Sequence, residues 1–312
     1  MGNIVWLASY PKSGNTWLRV FLANYLANSE QPVEINHFGF GWLAALRQRF
    51  DEDVGIASAQ LTANEIDLYR PAFHKHLSAR SENPTFVKVH DAYTYNSKGQ
   101  ALFPKAATAG VIYLVRNPLD VVGSYAHHNG WSVKHTIHQM NCEHYVLARS
   151  EEHLLTQLHQ RLLSWGKHVS SWTKQTSLPL HLVRYEDMVH NPTETFAKIV
   201  AFSRLPLELE RLQRALAFSH FDKLKEQEET YGFGERSPKS ASFFRQGKVG
   251  TWQTMLTEAE VQLVIDHHGA MMKQFNYEAN YGDNIYDNVS KDSIDNGYLY
   301  SADRNYFVQR AR

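Results

Sequence analysis

One cysteine, Cys142, stands in 312 residues. That excludes an intramolecular disulfide and suits a reducing compartment. Neither charge is in excess, since Lys and Arg total 32 and Asp and Glu total 32. Bulk attraction to nucleic acid or to a membrane surface is thereby excluded, and any anion site has to be local. No apolar run approaches the roughly 20 residues that a membrane-spanning helix needs. Met1-Gly2 is followed by Trp6 where a myristoylation signal wants Ser or Thr. An apolar strand starts so near Met1 that no signal peptide is expected. Internal repeats and linkers are absent too. The expectation is one cytoplasmic α/β domain over residues 1–277, followed by a tail, 278–312, rich in Asn, Asp and Tyr. The tail is read as a flexible end or as a strap over the domain.

What is present is concentrated first near the start. Val5-Trp6-Leu7-Ala8-Ser9-Tyr10 is an apolar run rich in β-formers, and Pro11 ends it. A helical apolar pattern (Leu18, Phe21, Leu22, Tyr25, Leu26) begins by Trp17. A turn between strand and helix aims backbone N–H groups and the positive end of the helix dipole at one spot, which suits phosphate. Lys12 adds a mobile cation, and Ser13 and Thr16 add hydroxyls. The nucleotide pattern G-x-x-x-x-G-K-[ST] is not met, because Lys12 precedes the only glycine, Gly14. The string Tyr10-Pro11-Lys12-Ser13-Gly14-Asn15-Thr16-Trp17 closely resembles the 5′-phosphosulfate loop of sulfotransferases that use 3′-phosphoadenosine 5′-phosphosulfate (PAPS).

Further strands end in chemistry-bearing residues. Thr85–Val89 leads into His90-Asp91, and a histidine at a strand's carboxyl end can take a proton from a hydroxyl at neutral pH. Val111–Val115 is a near-continuous apolar run, as a buried parallel strand requires. It runs into Arg116-Asn117-Pro118, where Asn117 caps a helix, Pro118 takes its first position and Arg116 can fork onto a phosphate. Ser124 lies two turns along. Leu180–Val183 is a fourth strand, before Tyr185-Glu186-Asp187 and a helix opened by Asn191-Pro192. Thr62-Ala63-Asn64-Glu65 reads as a capping box for a helix that Pro71 breaks or bends. Thr257 and Glu260 start another, reaching Phe275. Apolar positions 155, 158, 162, 165, 169 and 172 predict one long amphipathic helix. Residues 28–60 lack a sustained period, and 225–240 read as a polar loop. His127, His128, His135, His138, Cys142 and His144 lack two tight ligand pairs, so no metal site is expected.

Five more segments resemble the same family. Lys88-Val89-His90 is similar to its Lys-Thr-His segment, in which the histidine is the general base. Arg116-Asn117-Pro118-Leu119-Asp120-Val121-Val122-Gly123-Ser124-Tyr125 matches its 3′-phosphate motif at every defining position. Tyr185-Glu186-Asp187 and Phe221-Asp222-Lys223-Leu224 resemble adenine-side segments, with His220 where serine would stand. Phe244-Arg245-Gln246-Gly247-Lys248-Val249-Gly250-Thr251-Trp252 resembles the Arg-Lys-Gly-x-x-Gly-Asp-Trp loop, with Gln246 for lysine and Thr251 for aspartate.

The resemblance spans Val5 to Trp252 and implies a P-loop-like fold with a central parallel sheet flanked by helices. It implies in-line sulfuryl transfer from PAPS, without a required metal, to a hydroxyl or amine of a small-molecule acceptor. His90 would be the base, with Lys12 and Lys88 stabilising charge. Lys12, Ser13, Gly14, Asn15, Thr16 and Trp17 would hold the 5′ end, with Trp17 against adenine. Arg116, Ser124, Arg245, Gln246 and Gly247 would hold the 3′-phosphate, and Tyr185 and Phe221 the adenine. Aromatic and histidine-rich stretches 37–50 and 125–144 suit a cyclic or aromatic natural product. The family's dimer motif is absent, so no oligomeric state carries over. The alternatives are a P-loop-type ATP-dependent phosphotransferase and a non-catalytic nucleotide-binding protein with an eroded site.

Overall fold

The computed structural model describes residues 2–37, 39–150 and 152–277, and the backbone of 298–301 and 306–309. Strand β1 (Ile4–Ser9) is followed by α1 (Asn15–Ala27), α2 (Arg47–Val54), α3 (Ala63–Ala79) and β2 (Thr85–Val89). Next come β3 (Thr108–Val115), α4 (Pro118–Asn129), α5 (Val133–Asn141), and an antiparallel pair, β4 (Val146–Leu147) with β5 (Gln160–Arg161). After α6 (Trp165–Thr173) and β6 (Leu180–Arg184) stand α7 (Tyr185–His190), α8 (Pro192–Phe202), α9 (Leu209–Phe218), α10 (Phe221–Tyr231) and α11 (Glu258–Lys273). Strands β7 (Tyr298–Ser301) and β8 (Tyr306–Gln309) pair antiparallel. The expected tail otherwise lies outside the described residues.

The main sheet is parallel, in the order β2-β1-β3-β6. Every β1 residue is buried, because successive side chains enter opposite cores. Ile4, Trp6 and Ala8 pack with Val111, Tyr113, Trp172 and the α11 residues Val261 and Val264. Val5 and Leu7 pack with Leu18, Phe21 and Leu22 of α1 and with Phe196 and Leu212. Each such buried side chain is worth about 1.5–3 kcal/mol, so the sheet is a firm base for the turns at its ends. With β2 and β3 on opposite sides of β1, the strand order reverses there, and a crevice opens beyond the carboxyl ends.

Local capping agrees with the sequence. Thr62 and Glu65, and Thr257 and Glu260, form complete capping boxes, and Asn117 accepts from the Leu119 N–H. Three expectations are corrected. The long helix from Leu155 is confined to Trp165–Thr173, capped by Ser164. Ahead of it the chain is extended, with Leu158 N–H donating to Ala45 O at 2.7 Å and Gln160–Arg161 paired with β4. Leu158, Gln160 and Leu162 are all buried, so the four-residue spacing there served the period of two. Pro71 does not break α3, and the carbonyl of Asp67, deprived of its helical donor, accepts from Asn96 Nδ2 at 3.3 Å. Residues 225–231 are helical in α10 rather than loop.

Candidate active site

Beyond β1, Pro11 and the left-handed Lys12 (φ 68°) turn the chain into α1. Gly14 caps that helix at φ 99° and brings no side-chain oxygen to its first-turn N–H groups. A Cβ at Gly14 would stand 2.7 Å from the Tyr185 ring, so glycine is demanded twice. Asn15 braces the turn by donating to Leu7 O at 2.8 Å and Ser9 Oγ at 3.2 Å. Ser13 Oγ and Trp17 Nε1 are buried with no hydrogen-bond partner, as groups awaiting a ligand would be.

His90 follows β2 directly. Its Nδ1 lies 2.9 Å from Ser9 O and must donate there, which leaves the lone pair on Nε2. Beneath it, His168 reaches His90 O at 3.1 Å through Nε2 and Tyr113 OH at 2.8 Å through Nδ1. The next residue, Asp91, is held by both terminal guanidinium nitrogens of the fully buried Arg70, at 2.9 and 2.7 Å. The motifs pointed to His90 but not to this support, which comes from α3 and α6 and so from distant sequence.

Arg116, beyond β3, lies over the Tyr185 ring at 4.1 Å. Its Nη1 donates to Lys12 O at 3.2 Å and its Nη2 to Lys248 O at 3.0 Å, while Nε is buried without a partner. Glu186 accepts from Asn117 N–H at 3.0 Å and from Tyr277 OH at 2.6 Å, pinning the start of α4.

Residues 232–252 cover these turns. Glu228 accepts the N–H groups of Phe243 and Phe244 at 2.6 and 2.8 Å. Asp120 accepts from Gly250 N–H at 2.8 Å, Trp252 N–H at 3.1 Å and Thr251 Oγ1 at 3.1 Å. Thr251, the departure from aspartate, thus donates to an acid that a second carboxylate would repel. Phe243 places its ring 3.9 Å from Lys12 Nζ. Gly247 has φ 63°, and a Cβ there would meet the Phe221 ring at 2.3 Å.

Turns and cover enclose one cavity of about 920 Å³. Of the residues singled out in the sequence, Lys12, Gly14, Asn15, Thr16, Trp17, Lys88, His90, Arg116, Ser124, Tyr185, Phe221, Arg245, Gln246 and Gly247 all line it, and Ser13 stands behind the wall. Sequence reasoning missed Glu235 and Phe243, whereas His128, from the histidine-rich stretch read as suited to an acceptor, does line the cavity. Among the lining residues Lys12, Lys88, Arg116, Arg236, Arg245 and Lys248 are cations, and Glu235 is the one carboxylate. Burial, then Lys88 and Arg116, bring the Lys12 ammonium down to a pKa of about 7. Burial and then Lys88 depress His90 to about 3, which keeps its imidazole neutral. His128, its Nδ1 buried and unpartnered, is lowered to about 4 by burial, Lys12 and Lys88. Such an enclosure favours an extended anion set beside a neutral base. Among the described residues, no three His, Cys, Asp or Glu side chains cluster to hold a metal, and no helix is long and apolar enough to cross a membrane.

The family model of the sulfotransferase domain matches residues 3–276, and the chain belongs to that family. It is 22% identical to a flavonol 3-sulfotransferase of Flaveria bidentis, over 84% of this chain and 79% of that protein. It is 27% identical to sulfotransferase 1B1 of Mus musculus, over the same shares. Among solved structures, a retinol dehydratase in complex with androsterone and the inactive cofactor PAP superposes with a TM-score of 0.57. It is 18% identical, with 87% of this chain and 81% of that one covered, and supports the fold.

Proposed function

We propose that this sulfotransferase moves a sulfuryl group from PAPS, in line, to a hydroxyl or amine of a small-molecule acceptor. The observation that carries the reading is a single cavity lined by the Lys12–Trp17 turn, by the cations Arg116 and Arg245, and by the neutral His90. The turn Lys12–Trp17 suits the 5′-phosphate, and Arg116, Ser124 and Arg245 suit the 3′-phosphate. Ser13 Oγ, Trp17 Nε1 and Arg116 Nε, buried without partners, fit that occupant. The relatives lend support, since one is a flavonol 3-sulfotransferase and the retinol dehydratase complexes hold PAP, one of them with retinol.

His90 Nε2 takes the acceptor's proton as the acceptor oxygen or nitrogen bonds to sulfur. The sulfur–oxygen bond to the 5′-phosphate breaks, and its electron pair stays on the phosphate oxygen, where Lys12 and the first-turn N–H groups of α1 receive the charge. Lys88 steadies the sulfuryl oxygens. Placed charges of this kind contribute a few kcal/mol each to lowering a barrier. Leu43, Tyr125, Leu147 and Phe243 add apolar and aromatic lining to the cavity, which suits a cyclic or aromatic acceptor.

Calorimetric titration with 3′,5′-adenosine bisphosphate (PAP) without metal, against Mg-ATP, tests the donor site. We expect PAP to bind and PAPS to be consumed with hydroxylated aromatic acceptors. Preference for Mg-ATP would replace this reading with phosphoryl transfer. Binding of PAP without turnover across acceptors would point to an eroded site.

A further inference from the structure

Glu235 is the acid for which the motifs do not account. Its Oε1 lies 2.6 Å from Arg19 Nη1 on α1, and its Oε2 lies 2.9 Å from Lys88 Nζ on β2. Lys88 and Glu235 line the cavity, whereas Arg19 stands behind them at 4% exposure. Burial favours the neutral carboxyl, but Lys88 and Arg19 outweigh it and hold Glu235 near a pKa of 2. The carboxylate is therefore a fixed anion in a cavity whose other charged lining residues are cationic.

The contact belongs to a wider pattern. In this structure the covering segment engages three cations from the sheet ends: Lys12 by the Phe243 ring, Arg116 by the Lys248 carbonyl and Lys88 by Glu235. Only the last contact brings a full negative charge. A sulfuryl group, like a carboxylate, offers one negative charge spread over clustered oxygens. Exchanging one for the other keeps both cations paired with an anion, whereas vacating the place would leave two buried positive charges side by side with none. Lys88 already borders His90, so an anion bound between Lys88 and Arg19 lies on the reacting side of the cavity.

We propose that Arg19 and Lys88 form the subsite for the donor's sulfuryl group, and that Glu235 is the anion occupying it until the donor binds. This rests on the PAPS reading above. Donor binding expels Glu235 toward solvent. Once the sulfuryl group has left with the acceptor, Glu235 returns to the cation pair and competes with the sulfated product for it. Arg19 thus enters as a binding residue, and Glu235 as a positioning residue that acts through the cations.

Dissociation constants for PAPS and for PAP, measured calorimetrically without acceptor, test the proposal in the wild type, Glu235→Gln and Arg19→Gln. PAP lacks the sulfuryl group and serves as the control for folding and for both phosphate sites. Glu235→Gln should raise the preference for PAPS over PAP about tenfold, and Arg19→Gln should lower it about tenfold, with PAP affinity nearly unchanged. Equal changes for the two nucleotides in Glu235→Gln, or a fall in its PAPS preference, would overturn the subsite. Should Arg19→Gln lose PAP binding as well, the Glu235 variant alone decides. A wild type that binds neither nucleotide removes the PAPS reading itself; one that binds both, with an unmoved ratio in Glu235→Gln, removes only the subsite.

Discussion

The turn after β1 and the segment 232–252 meet the same cavity but are built differently. The turn is locked by its own chain: a strand buried on both faces, a left-handed Lys12, Gly14 against Tyr185, and Asn15 tied back to Leu7 and Ser9. Most of its specification lies within a dozen residues. The covering segment borrows its shape from elsewhere, hanging on Glu228 from α10, Asp120 from α4 and Arg116 from the end of β3. Groups on the sheet should therefore govern chemistry, and groups on the cover should govern how tightly the donor is held and released.

The largest effect should come from the sheet side. His90→Ala is expected to lower kcat by about 10²–10⁴-fold while PAP affinity stays nearly constant, since the proposed role has the ring meet the acceptor proton and not the nucleotide. Steady-state rates paired with calorimetry check this, and equal losses in both would move His90 from base to structural support.

An intermediate effect should come from the cover. Gly247→Ala forces a side chain into φ 63° and against Phe221, so PAP should bind roughly tenfold more weakly. The turnover rate of the saturated enzyme should hardly change. A variant that loses kcat instead would erase the proposed division between sheet and cover.

The smallest effect is a proton. Burial and two cations lower the Lys12 pKa to about 7, so at pH 8 most of it is neutral. An anionic nucleotide favours the ammonium and raises that pKa, so binding at pH 8 should take up about one proton, and affinity should fall as pH rises above 7. Titration in two buffers of different ionisation enthalpy reads the uptake, which Lys12→Met should largely abolish. Unaltered uptake in that variant would assign the proton to another group.

Local chemistry in the sequence determined the parallel strands, the capped helix starts at Thr62, Asn117 and Thr257, and the strand-end positions of Lys12, His90 and Arg116. These depend on alternation, turn geometry and a few adjacent side chains, all of which a short window contains. Only the tertiary structure decided that Leu158 and Leu162 face a core through an extended chain, because a spacing of four satisfies strand and helix alike. Pro71 likewise stays inside α3 because Asn96, far along the chain, supplies the missing donor. The placement of Glu235 between Arg19 and Lys88 joins residues 216 and 147 positions apart. No local pattern encodes such a pair, since an ion pair forms wherever folding brings opposite charges together in a site partly screened from water.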